Sequence, residues 1–186
     1  VKGAAVTTAG AWATGGSLNT ARRSLAGAGT ENATIATGGF TTGFSGITES
    51  YNGSSWTEVA DLNTARKVYT SAGSTPSALV AGGNTSPTAK TANTELWDGS
   101  SWTEVNNLNT ARQDSNVGGS YTTTAALCVA GATPGGKTGV TESWNGTSWT
   151  EVGDLNVAKN SVGGSGDITS SLIFGGTIPP GSYTGT

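Results

Sequence analysis

Short apolar runs that end in glycine recur along the chain and predict buried β-strands. They are too short, too β-branched and too rich in glycine to predict helices. The third run lacks a second glycine, which leaves the pair Gly131-Ala132 and places Cys128 in the strand position of Ile35, Leu79 and Leu172. The four runs are TIATGG at 34–39, ALVAGG at 78–83, LCVAGA at 127–132 and LIFGG at 172–176.

Aromatic residues bracket a second element, a tight turn. Asn-Gly and Asp-Gly supply the positive φ angles of a two-residue hairpin, so each aromatic pair predicts two antiparallel neighbouring strands. The segments NGSS, DGSS and NGTS separate the pairs Tyr51/Trp56, Trp97/Trp102 and Trp144/Trp149.

These elements recur with one period along the whole chain. The tryptophans at 12, 56, 102 and 149 lie 44, 46 and 47 residues apart, and the two ends of the chain together supply 49 more. Four short antiparallel strands repeated in this way predict the blades of a β-propeller. We expect one domain, 1–186, with repeats at 12–55, 56–101, 102–148, and 149–186 combined with 1–11.

The order of these pieces resembles a known repeat. A double glycine after an apolar strand, an aromatic residue, a tryptophan, and a connection with leucine and a basic residue resemble the kelch repeat of kelch β-propellers. The short Thr/Ser-rich version is similar to kelch-like arrays in marine bacteriophage virion proteins and bacterial surface proteins. The resemblance implies an all-β propeller of four-stranded antiparallel blades at an extracellular or virion surface.

Closure of the ring is expected to involve both termini. Val1–Val6 are predicted to pair beside the strand that ends near Phe174, which removes an exposed sheet edge. Two alternatives stay open: a fragment of a larger ring, and a dimer that forms an eight-bladed ring.

Composition excludes several classes of function. The net charge of −3 and the isoelectric point of 4.8 argue against nucleic-acid binding, and no apolar run is long enough for a membrane helix, so no membrane insertion is expected. The chain has no histidine, which removes Ser-His-Asp and Cys-His catalysis and imidazole metal sites. We expect no metal, no cofactor and no enzymatic activity.

The segment GATPGGKT at 131–138 has the spelling of a phosphate-binding loop. Such a loop needs a helix directly after it, whose N-terminal N–H groups bind the phosphates. Here GVTESWNG follows at 139–146, which repeats the third-strand pattern. We therefore expect a glycine-rich loop that binds no nucleotide.

Charged residues recur at fixed blade positions, which indicates structure rather than catalysis. We expect ion pairs that tie each basic residue to a third-strand glutamate; solvated surface charge is the alternative interpretation. Ala5 aligns with these glutamates and would leave one basic residue unpaired. The basic residues are Arg22, Arg66, Arg112 and Lys159, and the glutamates are Glu49, Glu95 and Glu142.

Positions at the start of each first strand differ between copies, as expected of a binding face. A mixed polar set with one tyrosine near a central opening favours recognition of sugar hydroxyls or a peptide; the alternative is that these side chains only fill the channel. The predicted ligand-binding residues are Arg23, Lys67, Tyr69, Gln113, Asp114 and Asn160.

These patterns predict an interaction module without catalytic apparatus. Its expected role is adhesion or display on a virion fibre or cell surface, with a cell-surface glycan or proteins of a larger assembly as partners. One alternative is a purely architectural or oligomerisation block. A minor one is a hydrolase that uses carboxylates on the propeller face.

Overall fold

The computed structural model describes residues 15–115 and 122–179, and in these ranges the chain is all-β. Every strand pairing there is antiparallel and no helix is present, which confirms the predicted all-β antiparallel class. The sheets are open. Residues 1–14, which include Val1–Val6 and Trp12, and residues 180–186 lie outside the described ranges. Closure of the ring by the N-terminal segment therefore stays a prediction.

The strands group into four successive units. Unit 1 follows the connection 18–22 and unit 2 follows the connection 62–66; each contains one four-stranded sheet in chain order. Their strands are β1 (Ala26–Thr30), β2 (Ala33–Thr37), β3 (Thr48–Tyr51), β4 (Trp56–Val59), β5 (Ser71–Ser74), β6 (Ser77–Ala81), β7 (Thr94–Trp97) and β8 (Trp102–Val105).

Units 3 and 4 follow the connections 108–112 and 155–159. Unit 3 has a three-stranded sheet in the order β9-β12-β13 and an additional two-stranded hairpin, β10-β11. Unit 4 has the two-stranded sheet β14-β15. Their strands are β9 (Ala126–Val129), β10 (Ala132–Thr133), β11 (Gly136–Lys137), β12 (Thr141–Trp144), β13 (Trp149–Glu151), β14 (Gly163–Gly166) and β15 (Ser171–Phe174).

The third and fourth strands of a unit are joined by the tight turn that the sequence predicts. Trp97 pairs directly with Trp102 across the turn, and their ring centroids lie 5.4 Å apart. Gly99 has a φ of 96°, and the Asp98 carboxylate accepts the backbone N–H groups of Ser100 and Ser101 at 2.8 Å. The glycine supplies the left-handed conformation and the carboxylate satisfies the turn, so the aromatic pair is held in register.

The hydrophobic core lies at the junctions between successive units. One cluster combines Ile35 of unit 1 with Val68 and Trp102 of unit 2, and a second combines Leu79 of unit 2 with Trp149 of unit 3. At these junctions the indole N–H of each fourth-strand tryptophan donates to a buried threonine of the preceding unit. The bonds are Trp102 to Thr48 at 3.1 Å and Trp149 to Thr94 at 3.0 Å.

The sequence alignment of the third glycine pair is wrong by one residue. The equivalent of the other pairs is Ala130-Gly131, since the N–H of Gly131 donates to Lys159 as that of Gly83 donates to Arg112. Ala130 has a φ of 60°, close to the 66° of Gly82. Cys128 therefore occupies the strand position of Ala36, Val80 and Ile173, and not that of Ile35, Leu79 and Leu172.

Of the two residues in a glycine pair, only the second must be glycine in every described copy. This explains why the sequence alone aligned the third pair one residue too late. A Cβ at that position would lie 2.0–2.8 Å from a backbone carbonyl oxygen at the entry to the first strand of the same unit. A Cβ at that distance forces the backbone to shift. The first member meets similar contacts in units 1 and 2, but unit 3 accommodates Ala130 there. These second glycines are Gly39, Gly83, Gly131 and Gly176.

Candidate functional site

Buried ion pairs connect the predicted basic residues to the predicted glutamates. Arg66 Nη1 lies 2.5 Å from Glu95 Oε1, and both side chains are fully buried. Arg22 pairs with Glu49 and Arg112 pairs with Glu142 in the same way. Breaking one partner of such a pair leaves an uncompensated buried charge, which makes each pair structurally critical.

Each glutamate also holds the backbone of the connection that carries its arginine. The N–H and side-chain amide of Asn63 donate to Glu95 Oε2 at 2.8 and 2.9 Å, and the amide also reaches the carbonyl of Trp102 at 2.8 Å. In unit 1, burial by itself would raise the pKa of Glu49. The hydrogen bonds from Arg22 and from the N–H groups of the connection outweigh this effect and leave the pKa below its ordinary 4.5.

The same connections attach each unit to the preceding one. The carbonyl of Arg66 accepts the N–H of Gly39, and the carbonyl of Arg112 accepts the N–H of Gly83, at 2.9 and 2.8 Å. Lys159 takes the equivalent place in unit 4: its carbonyl accepts the N–H of Gly131 at 2.9 Å and its own N–H donates to Thr138. Ala5, which aligns with the glutamates in the sequence, lies outside the described residues.

Four of the predicted binding residues occupy one equivalent position at the entry to the first strand. Each pairs with the residue directly after the glycine pair of its unit: Arg23 with Phe40, Lys67 with Asn84, Gln113 with Ala132, and Asn160 with Thr177. The four residues therefore form four matching backbone pairs. All four pairs lie at the end of the sheets where the glycine pairs are found, and we call this end the glycine-pair end.

The side chains of these four residues have different environments. The Arg23 guanidinium and the Lys67 ammonium lie over the Phe40 ring, 5.1 and 4.7 Å from its centroid. The Gln113 side chain donates to the Asp114 carboxylate at 2.9 Å, and the Asn160 side chain accepts a hydrogen bond from Thr177. The aromatic partner Phe40 was not predicted, although its place after a glycine pair distinguishes it from Asn84, Ala132 and Thr177.

Tyr69 and Asp114 meet at a cavity of about 370 Å³ that three units build together. Ser115, Ser161 and Val162 complete its lining. The backbone helps to place these groups: Asp114 has a φ of 52°, and its carbonyl accepts the N–H of Ser161 at 2.9 Å. A short polar side chain tolerates that left-handed conformation, so aspartate suits the position. We call this cavity the Tyr69–Asp114 cavity.

The electrostatics keep Tyr69 protonated. Burial raises the pKa of the phenol above its usual 10; a hydrogen bond with Ser24 opposes the rise and the nearby charge of Asp114 adds to it. The cavity therefore presents a phenol O–H, a carboxylate and the hydroxyl of Ser161, while the Ser115 hydroxyl is bonded to Thr70. These groups both donate and accept hydrogen bonds, as the hydroxyls of a sugar require.

A larger cavity of about 460 Å³ lies away from these residues. Its lining includes Glu104, Asn106 and Trp144. Trp144 is only 1% exposed, so its ring offers no face on which a ligand could stack. We assign the candidate site to the smaller Tyr69–Asp114 cavity because it gathers polar side chains from three units.

The segment with the spelling of a phosphate loop is a β-hairpin. Ala132 pairs with Lys137 and Thr133 with Gly136, and β12 follows where a phosphate loop would continue into a helix. The Lys137 ammonium donates to the carbonyl of Ile178 at 2.8 Å. The N-terminal helix dipole on which phosphate binding depends is thus missing from this described segment.

The remaining candidates for chemistry are the thiol of Cys128 and side chains that could bind a metal ion. Cys128 is fully buried, and burial raises the pKa of its thiol. Among the described residues no cluster of three or more acidic or cysteine side chains is placed to hold a metal ion. No helix in the same ranges has the length and apolar character needed to cross a bilayer.

No protein-family model matches the sequence, and a search of curated proteins gave no significant match.

Proposed function

We propose that this chain is a kelch-like β-propeller that serves as a non-catalytic interaction module and binds a glycan in the Tyr69–Asp114 cavity. The observation that carries the binding proposal is the meeting of Tyr69, Asp114 and Ser161 from three successive units at one cavity. A site built from several units at one end of their sheets has the form in which propellers recognise ligands.

Repetition of the unit junctions supports the propeller arrangement. The first strands of units 1 and 2 lie side by side: β1 packs against β5, and the Ser71 hydroxyl donates to the carbonyl of Gly27 at 2.8 Å. The connections and the tryptophan–threonine bonds repeat from one junction to the next. Contacts that repeat in this way favour a curved path of the units, as blades around an axis require.

The outer edge of β15 supports closure by the N-terminal segment. In units 1 to 3 the second strand is covered on that edge by the third strand, whereas Leu172 and Phe174 on β15 are 65% and 46% exposed. Ala5 precedes Trp12 by seven residues, as Glu49 precedes Trp56. We propose that the segment around Ala5 takes the place of the third strand of unit 4.

The engagement of the repeated carboxylates supports a non-catalytic role. Glu49, Glu95 and Glu142 are bound by arginines and by backbone N–H groups. The resemblance to virion and surface arrays adds the expected setting, which is attachment or display outside the cell. Glycans of a cell surface are the partner that this setting and the hydroxyl-rich cavity favour together.

A panel of neutral and acidic glycans, including bacterial surface polysaccharides, tests the proposal. We expect a saturable hit that Asp114→Asn weakens, because asparagine tolerates the same φ but carries no charge. Asp98→Asn, in a turn at the opposite end of the sheets, is the matched control. If the folded protein binds no glycan of the panel, or if the two variants bind equally well, binding in this cavity is contradicted.

The exposed edge of β15 also favours a second candidate, an oligomerisation block. Leu172 and Phe174 of two copies would then cover each other, since an exposed apolar edge strand is a template for pairing with another chain. Sedimentation equilibrium distinguishes the two proposals. A monomer at all concentrations excludes the oligomerisation block, and a dimer disrupted by Leu172→Lys supports it.

A further inference from the structure

Basic residues are segregated at the glycine-pair end of the described sheets. Of the eight arginine and lysine residues in the described ranges, the four in the connections are structural. The other four all lie in the backbone pairs that surround the glycine pairs. Arg23 is exposed and the other three are half-buried: Lys67, Lys90 and Lys137.

The backbone pairing puts these four residues in equivalent rows. Unit 1 has the row Arg23-Phe40-Phe44, and unit 2 has Lys67-Asn84-Lys90. Unit 3 has Gln113-Ala132-Lys137. We call the three rows together the basic row.

The rows of units 1 and 2 touch each other. The Lys67 ammonium of unit 2 reaches the Phe40 ring of unit 1, where the Arg23 guanidinium also lies. Since both distances end at the same centroid, the two cations are no more than about 10 Å apart. That is close to the screening length of about 8 Å at physiological ionic strength, so the two charges reinforce one another.

No carboxylate of the described residues forms a salt bridge with any cation of the basic row. The turns at the opposite end of the sheets instead carry acidic residues: Glu31, Asp98 and Asp167. Asp61 and Asp154 do lie at the glycine-pair end, but each accepts a backbone N–H, at 3.1 and 3.0 Å. Asp114 lies at this end as well, and the exposed residues Glu58, Glu104 and Glu151 lie on β4, β8 and β13. The basic row is therefore a local cluster of cations on a chain with a net charge of −3.

We propose that the basic row binds the anionic groups of an acidic polysaccharide. Cations held over an aromatic ring keep outward N–H groups for a carboxylate or sulfate, and Phe40 and Phe44 add apolar surface for a sugar ring. This proposal rests on the proposed glycan-binding function and specifies its ligand class. The DNA duplex in the titration below tests nucleic acid, the other class of polyanion that a row of cations attracts.

Four purified polymers test the proposal by equilibrium titration: polygalacturonate, dextran sulfate, neutral dextran and a DNA duplex. We expect saturable binding to a polyanionic sugar that weakens as salt is raised. Arg23→Gln and Lys67→Gln should each reduce the affinity roughly three- to tenfold, since charge-assisted contacts at exposed sites are of that size. Comparison of the affinities for polygalacturonate and dextran sulfate shows whether the basic row prefers carboxylate or sulfate groups.

Charge-matched controls separate the basic row from net charge. Glu31→Gln raises the net charge by the same unit that Arg23→Gln lowers it, and should leave the affinity unchanged. If Glu31→Gln strengthens binding by as much as Arg23→Gln weakens it, net charge governs the affinity and the proposal is overturned. Tighter binding to DNA than to either acidic sugar would overturn it too. A glycan hit that depends on Asp114 but not on Arg23 or Lys67 would overturn it as well, and would leave the proposed function intact.

Discussion

Arg66 and Glu95 form an ion pair of 2.5 Å with both side chains fully buried, although they are 29 residues apart in the chain. The pair joins the entry of one unit to its third strand, and the carbonyl of the same arginine holds Gly39 of the preceding unit. One residue therefore fixes both the internal geometry of a unit and its attachment to its neighbour.

Replacing Arg66 should destabilise the whole protein. Arg66→Ala leaves the Glu95 carboxylate buried without a counter-charge, which costs about 3–5 kcal/mol. Urea denaturation followed by tryptophan fluorescence gives the free energy of unfolding. Glu104→Ala in the same unit is the control, because that carboxylate is exposed and should change stability by no more than about 0.5 kcal/mol. Equal stability of the two variants would contradict a structural role for the pair.

The two glycines of a pair should respond differently to alanine. Gly83→Ala places a Cβ 2.0 Å from the carbonyl oxygen of Lys67, whereas Gly82→Ala meets the oxygen of Arg112 at 2.7 Å in a conformation that Ala130 already adopts in unit 3. We expect Gly82→Ala to lose at least about 1–2 kcal/mol from the left-handed conformation, plus the cost of the shift that relieves the 2.7 Å contact. The loss for Gly83→Ala should be larger.

Gly43→Ala provides the baseline for that comparison. A Cβ added at Gly43 would have no atom within 4 Å and the φ of this residue is not positive, so alanine should be neutral or slightly stabilising there. Thermal melting of the three variants ranks them. If Gly82→Ala proves more damaging than Gly83→Ala, the assignment of Ala130-Gly131 as the third pair is wrong.

The sequence predicted the parts of this structure that depend on local chemistry. Asn-Gly turns, strand periodicity and repeated charges each have a local cause, so the hairpins at Gly53 and Gly99 and the pairing partners of Arg22, Arg66 and Arg112 could be anticipated. The glycine pair of unit 3 could not, because the requirement for glycine at 131 comes from the carbonyl of Gln113, which lies 18 residues away.

The binding face was only partly predictable for the same reason. Tyr69 and Asp114 stand out in the sequence because they break the repeat, and the structure places both at one cavity. Phe40 and the row around it were missed, since the contact of Lys67 with a ring of the preceding unit depends on how units pack. No local pattern encodes that contact.

Stability should fall when the pH drops below the ordinary carboxylate range. The pKa of Glu49 is lowered in the folded protein from its ordinary 4.5, so the folded state binds the proton less readily than the unfolded state does. The resulting stabilisation is fully present above pH 4.5 and is lost as the pH falls through the folded pKa. Glu49→Gln should flatten that part of a plot of unfolding free energy against pH; an unchanged slope would contradict the assignment.

Cys128 should be unreactive until the protein unfolds. The thiol is fully buried and burial raises its pKa, so little thiolate is exposed to reagent at about pH 8. Ellman's reagent should therefore react with no thiol in native buffer and with one thiol per chain in denaturant. Rapid labelling of the native protein would place Cys128 outside the core.

The affinity of Tyr69→Phe for the best glycan of the panel is the most direct test of the proposed function. The variant keeps the ring and removes the hydroxyl together with its hydrogen bond to Ser24. The free energy of unfolding should therefore fall by no more than about 1 kcal/mol, which lowers the melting temperature by no more than about 4 °C. We predict a loss of affinity of about tenfold, the equivalent of one ligand hydrogen bond of about 1.4 kcal/mol. Unchanged affinity in the folded variant would show that the glycan does not bind in the Tyr69–Asp114 cavity.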